Sequence, residues 1–334
     1  MIEIIENIQN NDALIFTAPP GWGKTYKFLD GIKKSNERVV FIFPLRALCD
    51  EVYISALELK INVVNIRKEE DYDLVKQKKS SLIICTPETF RPFTDSLDTI
   101  YILDEFHLFY YWGDSFRERL SEVYMQITSY SFPVIFLSAT LSEELLKRLN
   151  SELSVNYEHI YHIDMGNQKL KNLPGKLFYY PAKFHNYLDY DLKYSDKKGT
   201  TLVFCKYRKQ VAKLSKELRE QGDKVLSCVG GEAAQFIQNL SVSRDLDFIV
   251  ATSVVSHGVN LPGIKRVYFM YRVENLDFYL QMLGRGGRDG ESFEVHTLSD
   301  KYFHQKELWI GIIRIFIKRL SNKTNYLLYS LYDN

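Results

Sequence analysis

Short apolar runs recur along this chain, each followed by a stretch with helical periodicity, and this alternation narrows the possible folds more than any other feature. The first series is ALIFTA (13–18), RVVFIF (38–43), SLIICT (81–86), TIYILDE (99–105) and PVIFLSAT (133–140). Val, Ile, Leu and Phe follow one another there without polar alternation. That fits strands buried on both faces, as in a parallel sheet flanked by helices. Segments such as GDSFRERLSEVYMQITSY and SEELLKRLN carry the helical period, so the class is α/β. Around MGNQKLKNLPGK (165–176) the sequence turns polar and gains Gly and Pro, the character of a linker. A second series follows: KLFYYP, TLVFCK with a helix over 207–221, KVLSCVG, DFIVAT, RVYFMYR and FEVHTLS. The expected organisation is a first α/β domain at 1–165, a linker at 166–176, a second α/β domain at 177–300 and a helical tail at 301–334.

A chain of 334 residues accommodates two such domains. With 43 basic and 42 acidic residues the net charge is +1, so any site for a polyanion has to be a local groove. Cys49, Cys85, Cys205 and Cys228 form no CxxC pair and read as small buried hydrophobes in a reducing compartment. The start, MIEIIENIQN, lacks the order of a signal peptide, and LWIGIIRIFIKRL near the end is broken by Arg314 and Lys318. A soluble cytoplasmic protein without a membrane partner is expected.

Ligands of open α/β sheets bind beyond the carboxyl ends of the strands, and the chemistry-bearing residues cluster there. The run FTAPPGWGKT (16–25) leads from a strand into a helix. Backbone N–H groups of Gly21, Gly23 and their neighbours suit phosphate oxygens, Lys24 reaches outer phosphates, and the Thr25 hydroxyl suits Mg²⁺. Proline has no N–H, but Pro19 and Pro20 precede the stretch from Gly21 to Thr25 that supplies the donors. Trp22 is too large to lie under phosphates, so its indole points out into the cleft or onto its own domain. In ILDEFH, Asp104 suits the Mg²⁺ shell and Glu105 suits a water attacking phosphorus. In QMLGRGGR (281–288), Arg285 and Arg288 are three apart, hence on one helix face. Arginines brought from a second domain to a γ-phosphate stabilise the charge of the transition state.

APPGWGKT, FPLRAL, CTPE, DEFH, SAT, VFC, ATSVVSHGVNLP and QMLGRGGR stand in the order of the superfamily 2 helicase motifs, and the chain resembles that family over roughly residues 13 to 290. PLRAL, GVNLP and QMLGRGGR look most like the Ski-like DExH helicases of archaea. The compact layout is also similar to the stand-alone helicase subunit of archaeal type I CRISPR interference. The resemblance implies two tandem RecA-like domains, each a mostly parallel sheet flanked by helices, with ATP and Mg²⁺ in the interdomain cleft and single-stranded nucleic acid as the track. It implies that Arg46, Thr86 and Pro87, with Thr252 and Ser253, contact the strand. Ser138 and Thr140 would link nucleotide site to strand, and His107 would bridge Glu105 and Gln281. Gly258 and Asn260 would face the ribose and γ-phosphate, with Asn260 where many relatives have Asp. Gln281, Arg285 and Arg288 would join Glu105 in catalysis.

The upstream adenine-reading element looks short or missing, Gln9 being its evident candidate. The stretch after Arg288 looks too short for the winged-helix and ratchet domains of full Ski-like enzymes or for a nuclease domain. The expected function is ATP-driven movement on single strands, DNA before RNA, beside a partner such as a separate nuclease subunit or guided complex in CRISPR interference or DNA repair. Two other readings stay open: an ATP-switched nucleic-acid clamp without productive hydrolysis, and a nucleotide kinase, which leaves GRGGR unexplained.

Overall fold

Strand β1 (Asp12–Thr17) shows why its apolar run is continuous. Ala13 and Ile15 enter the core on one face of the sheet, while Leu14 and Phe16 enter the core on the other. Successive side chains of a strand point to opposite faces, so the middle of a strand covered on both faces is apolar, and the polar Asp12 and Thr17 stand at its two ends. The structure, a computed structural model, describes residues 1–78, 81–93, 99–181, 185–194, 199–243, 245–256, 261 and 263–298. Gly258, Asn260 and the tail expected at 301–334 lie outside the described residues.

The chain divides into two compact units, the first built from Met1–Asn172 with Val255–Leu261 and Asn275–Arg288, the second from Leu173–Val254, Pro262–Glu274 and the chain from Asp289. In the first unit β1 is joined by β2 (Arg38–Ile42), β3 (Val63–Asn65), β4 (Leu82–Cys85), β5 (Thr99–Leu103), β6 (Val134–Ser138) and β7 (His159–Asp164). They pair in the order β3-β4-β2-β5-β6-β1-β7, every pairing parallel. The helices are α1 (Ile2–Asn7), α2 (Lys24–Lys34), α3 (Arg46–Glu58), α4 (Asp71–Lys78), α5 (His107–Tyr111), α6 (Arg119–Ser129) and α7 (Glu143–Leu153). Phe28, Leu29 and Ile32 of α2 and Leu48, Val52 and Ala56 of α3 close one face of the sheet. Leu120, Val123 and Ile127 of α6 and Leu145, Leu149 and Leu153 of α7 close the other. Spacings of three or four residues, with Phe28 and Leu29 adjacent, make one apolar stripe per helix.

The second unit holds β8 (Lys176–Tyr180), β9 (Thr200–Phe204), β10 (Val225–Cys228), β11 (Phe248–Ala251), β12 (Ile264–Phe269) and β13 (Glu294–Leu298). Their order is β10-β11-β9-β12-β13-β8, again parallel throughout. With them go α8 (His185–Tyr194), α9 (Arg208–Glu220) and α10 (Ala233–Val242). The last described helix, α11 (Leu276–Leu283), follows β12 in sequence and clusters with the first unit. All four cysteines are free and buried. No helix among the described residues is long and apolar enough to cross a membrane.

Candidate active site

The loop between β1 and α2 is built around its prolines. Trp22 N donates to Pro19 O at 3.1 Å, with Gly21 at φ 75°. Proline second and a left-handed glycine third is the pattern of a type II turn. Gly23 then caps α2 at φ 86°, also left-handed. Two glycines thus turn the backbone through a conformation that side chains resist. The N–H groups of a helix's first turn have no intrahelical partner, and α2 starts at Lys24. Trp22 N is used by the turn, so the donors open to a phosphate are those of Gly21, Gly23, Lys24 and Thr25. Lys24 Nζ, largely buried, rests on Ala18 O at 3.1 Å. The Trp22 ring packs on Phe16 at 5.7 Å, with Lys27 Nζ 4.9 Å from its centroid. Of the two orientations left open for Trp22, the structure has the one on its own domain.

Asp104 and Glu105 leave the end of β5 side by side. Asp104 is buried and takes the Thr25 hydroxyl at 3.1 Å. Its pKa is pushed up to about 6, first by burial and then by the charge of Glu105, against the pull of Lys24. Glu105 has φ 49°, a strained conformation for a non-glycine residue, and its N–H donates to Asp104 Oδ1 at 2.9 Å. Its carboxylate accepts from Gln281 Nε2 at 3.1 Å.

Gln281 Nε2 also donates to His107 Nε2 at 2.9 Å, and His107 Nδ1 lies 3.0 Å from Ser138 Oγ. With Nε2 accepting, Nδ1 carries the proton and donates to Ser138. Ser138 Oγ takes a second bond from Thr140 N and donates to Thr140 O. Burial pushes the His107 pKa down to about 3, so the ring is neutral, as this bonding requires. His107 therefore bridges the Ser138–Thr140 turn to Gln281. Among the described residues, Gln281 Oε1 and Thr140 Oγ1 are buried with no hydrogen-bond partner.

The arginines are not on a helix. α11 ends at Leu283 and both lie in the turn that follows, where Gly284, Gly286 and Gly287 (φ 60°) stop the helix. A Cβ on Gly284 would stand 2.6 Å from Pro20 Cβ, so the glycine allows this turn to rest on the phosphate loop. Arg285 is buried, grips Ser256 O through Nη2 at 2.6 Å and Nε at 3.2 Å, and has its pKa lowered to about 9 by burial and by Arg288. Burial lowers Arg288 as well.

These side chains share one cavity of about 330 Å³, lined by Gly21, Gly23, Lys24, Thr25, Asp104, Glu105, Gln281, Arg285 and Arg288. Small-molecule sites run to ~300–1,000 Å³. Its wall also includes Glu51 of α3 and Ser256, which the motifs did not single out. The Glu51 pKa is raised by desolvation, with Arg285 and Arg288 pulling it back. Gln9 is exposed and is not part of this lining.

The residues expected to touch nucleic acid fall in both units. In the first, Arg46 donates to Ile66 O at 2.7 Å and Asn65 Oδ1 at 3.2 Å, with Asp50 3.8 Å away. Thr86 and Pro87 are buried, and Thr86 starts a short turn that Thr89 closes. In the second, Thr252 N donates to Cys228 O at 3.1 Å, and Ser253 begins a turn of 3-10 helix over Ser253–Ser256.

Residues 2–149 match the DEAD/DEAH box helicase family, and residues 182–290 match the helicase conserved C-terminal domain. The chain is 23% identical to the probable ATP-dependent DNA helicase RecS of Bacillus subtilis, over 86% of this chain and 61% of that one. It is 22% identical to the ATP-dependent RNA helicase DBP3 of Kluyveromyces lactis, over 85% and 62%. It thus spans about three fifths of the length of these relatives. Among solved structures it resembles Mss116p bound to ssRNA and AMP-PNP, with a TM-score of 0.67 and 17% identity over 89% of this chain and 67% of that one. Dbp5 of S. cerevisiae, bound to RNA and ADP BeF3, gives 0.61 and 17% over 91% and 83%. This likeness establishes the fold as two tandem RecA-like domains. With both domains in sequence, the chain belongs to the superfamily 2 helicases, a DEAD/DEAH box domain followed by the conserved helicase C-terminal domain.

Proposed function

We propose that this chain is a nucleic-acid-dependent ATPase that hydrolyses ATP in the cavity at the ends of β1 and β5 and moves on single-stranded nucleic acid. The observation that carries the reading is the convergence of Lys24, Asp104, Glu105, Gln281 and both arginines on that one cavity. Phosphate oxygens take the N–H groups of Gly21, Gly23, Lys24 and Thr25 together with the Lys24 ammonium. The Thr25 hydroxyl and Asp104 carboxylate, already in contact, are the oxygen donors that suit Mg²⁺. Two adjacent carboxylates, one of them buried, fit a cation that relieves their repulsion. Mg²⁺ bound there would shield the phosphate charge.

Glu105, held by Gln281, accepts a proton as a water oxygen bonds to the γ-phosphorus and the bond to the bridging oxygen breaks. Gln281 Oε1, which has no hydrogen-bond partner among the described residues, is an acceptor suited to the same water. Arg285 and Arg288 stabilise charge on the γ-phosphoryl group, an effect of ~10³–10⁵ in rate where measured. Gly258 and Asn260 keep the ribose and γ-phosphate role that the motif order gives them.

Residues 275–288 follow β12 and precede β13, so in sequence the arginines are tied to strands of the second sheet. Loss of the γ-phosphate removes one reason for them to stay packed in the first unit, and we assign strand movement to that release. Arg46, Thr86 and Pro87, and separately Thr252 and Ser253, are the strand contacts in this reading. A strand phosphate would compete with Asp50 for Arg46. DNA as the track and a nuclease subunit or guided complex as partner rest on the likeness of PLRAL, GVNLP and QMLGRGGR to the Ski-like helicases and of the compact layout to the CRISPR helicase subunit. A cytoplasmic setting is proposed with them.

ATP hydrolysis with single-stranded DNA, single-stranded RNA and duplex as competing stimulants tests the reading. Stimulation by single strands, DNA above RNA, is expected. Nucleotide-dependent strand binding without hydrolysis would make the chain a clamp instead.

A further inference from the structure

Residues after β7 read as a passive linker, yet three of their side chains fasten the catalytic segments. Asn167 clasps Leu141, accepting its N–H at 2.8 Å and donating to its carbonyl at 2.7 Å. Gln168 N donates to Ala139 O at 3.3 Å, while its side-chain amide donates to Asp277 Oδ1 at 2.8 Å. Asn172 Nδ2 reaches Gly287 O, in the arginine turn, at 2.5 Å. Gln168 has φ 54°, a conformation that suits glycine and strains a side-chain-bearing residue.

Asp277 is almost fully buried, and its other oxygen accepts from Tyr111 OH at 2.7 Å. Asp277 and Gln281 lie four apart on α11, as His107 and Tyr111 do on α5, so each pair shares a helix face. The two helices therefore meet at two rungs, Tyr111 with Asp277 and His107 with Gln281. Gln168 braces the outer rung, and Asn167 braces the Ser138–Thr140 turn that holds His107.

We propose that residues 167–172 are a strap that positions α11 and the arginine turn, with Gln168 as its positioning residue for hydrolysis. The proposal rests on the ATPase reading above and adds a residue that does not line the cavity. The strap joins the Ser138–Thr140 turn to α11 by a path outside the cavity. What glutamine supplies at this strained position, and glycine does not, is the bond to Asp277.

Gln168→Gly removes that bond and relieves the backbone. It should leave the melting temperature unchanged or raised, yet lower kcat for ATP about tenfold with KM changed less than about twofold. Gln168→Glu sets a carboxylate against Asp277 and should lower kcat further. Adding Asp277→Asn lets the new amide donate to that carboxylate while still accepting from Tyr111, and should restore kcat to within about threefold of wild type. Normal kcat in Gln168→Gly, or no rescue in the double variant, overturns the proposal. Hydrogen exchange provides an arm without catalysis, in which the amides of Leu280–Leu283 should exchange faster in Gln168→Gly. Unchanged exchange there overturns the strap whatever the activity. Absence of hydrolysis in the wild type overturns the function alone.

Discussion

At Glu105 a carboxylate is carried on a left-handed residue, φ 49°, and clamped by Gln281. The strained backbone turns the side chain off the line of β5 and into the cavity beside Asp104. Glu105→Gln keeps the shape and removes the proton acceptor, so ATP should still bind while turnover falls at least about 100-fold. Lys24→Ala should instead weaken nucleotide binding itself. His107 gives a pH test of the hydrogen-bond chain. Its pKa lies near 3 in the folded chain against an ordinary ~6.5. As pH falls through 6.5 toward 3 the unfolded chain takes up a proton that the folded chain does not, so this residue makes stability fall with pH. Between pH 7.5 and 5.0 the wild type should lose up to ~2 kcal/mol more stability than His107→Gln, read from urea unfolding at both pH values. Lys24, Thr25, Asp104 and Glu105 were legible in the sequence because phosphate and cation chemistry dictates residue type next to strand ends. Gln168 and Asp277 were not. Their bond spans 109 residues, and neither side chain lines the cavity whose chemistry dictates residue type.

Among elements, most strands legible in the sequence are buried on both faces, the exception being β8, read from KLFYYP although four of its five residues are exposed. β7 escaped because its residues alternate in character at the sheet edge, only two of six being even partly buried. β3 escaped because it is three residues long. The arginine segment is not the helix that a spacing of three suggests, because the three glycines stop α11 at Leu283. Gly284 carries the consequence. Gly284→Ala brings a methyl group to about 2.6 Å from Pro20 Cβ, so the loop or the turn has to shift. It should destabilise the fold by ~1–3 kcal/mol and weaken ATP binding, both measurable on one preparation by thermal unfolding and nucleotide titration. Phe106 lies between the site and the core, fully buried against Phe109, Tyr110, Tyr124 and Phe136. Phe106→Ala should cost ~3–5 kcal/mol and show that the carboxylates of ILDEFH stand on packing as well as on chemistry.

Over the whole molecule, the α/β class and the two parallel sheets followed from apolar runs alone, whereas the packing of residues 275–288 with the first unit did not. No pattern within those residues says which unit will hold them, since that depends on partners such as His107, Tyr111 and Asn172 far away in sequence. A net charge of +1 gives no general attraction to polyanions. Strand binding should therefore rest on a few local contacts, with log K against log salt falling at a slope of about −2 to −4 for roughly three to five phosphates. A slope near zero would remove the phosphate backbone from the account. The central claim is that Glu105 and the cavity around it hydrolyse ATP in response to a single strand. It is tested most directly by measuring ATP turnover and ATP binding on wild type and Glu105→Gln, each with and without single-stranded DNA and RNA. The account predicts stimulated turnover in the wild type and, in the variant, retained binding with turnover at least about 100-fold lower. Wild-type turnover that ignores single strands, or a variant that hydrolyses ATP at the wild-type rate, would contradict it.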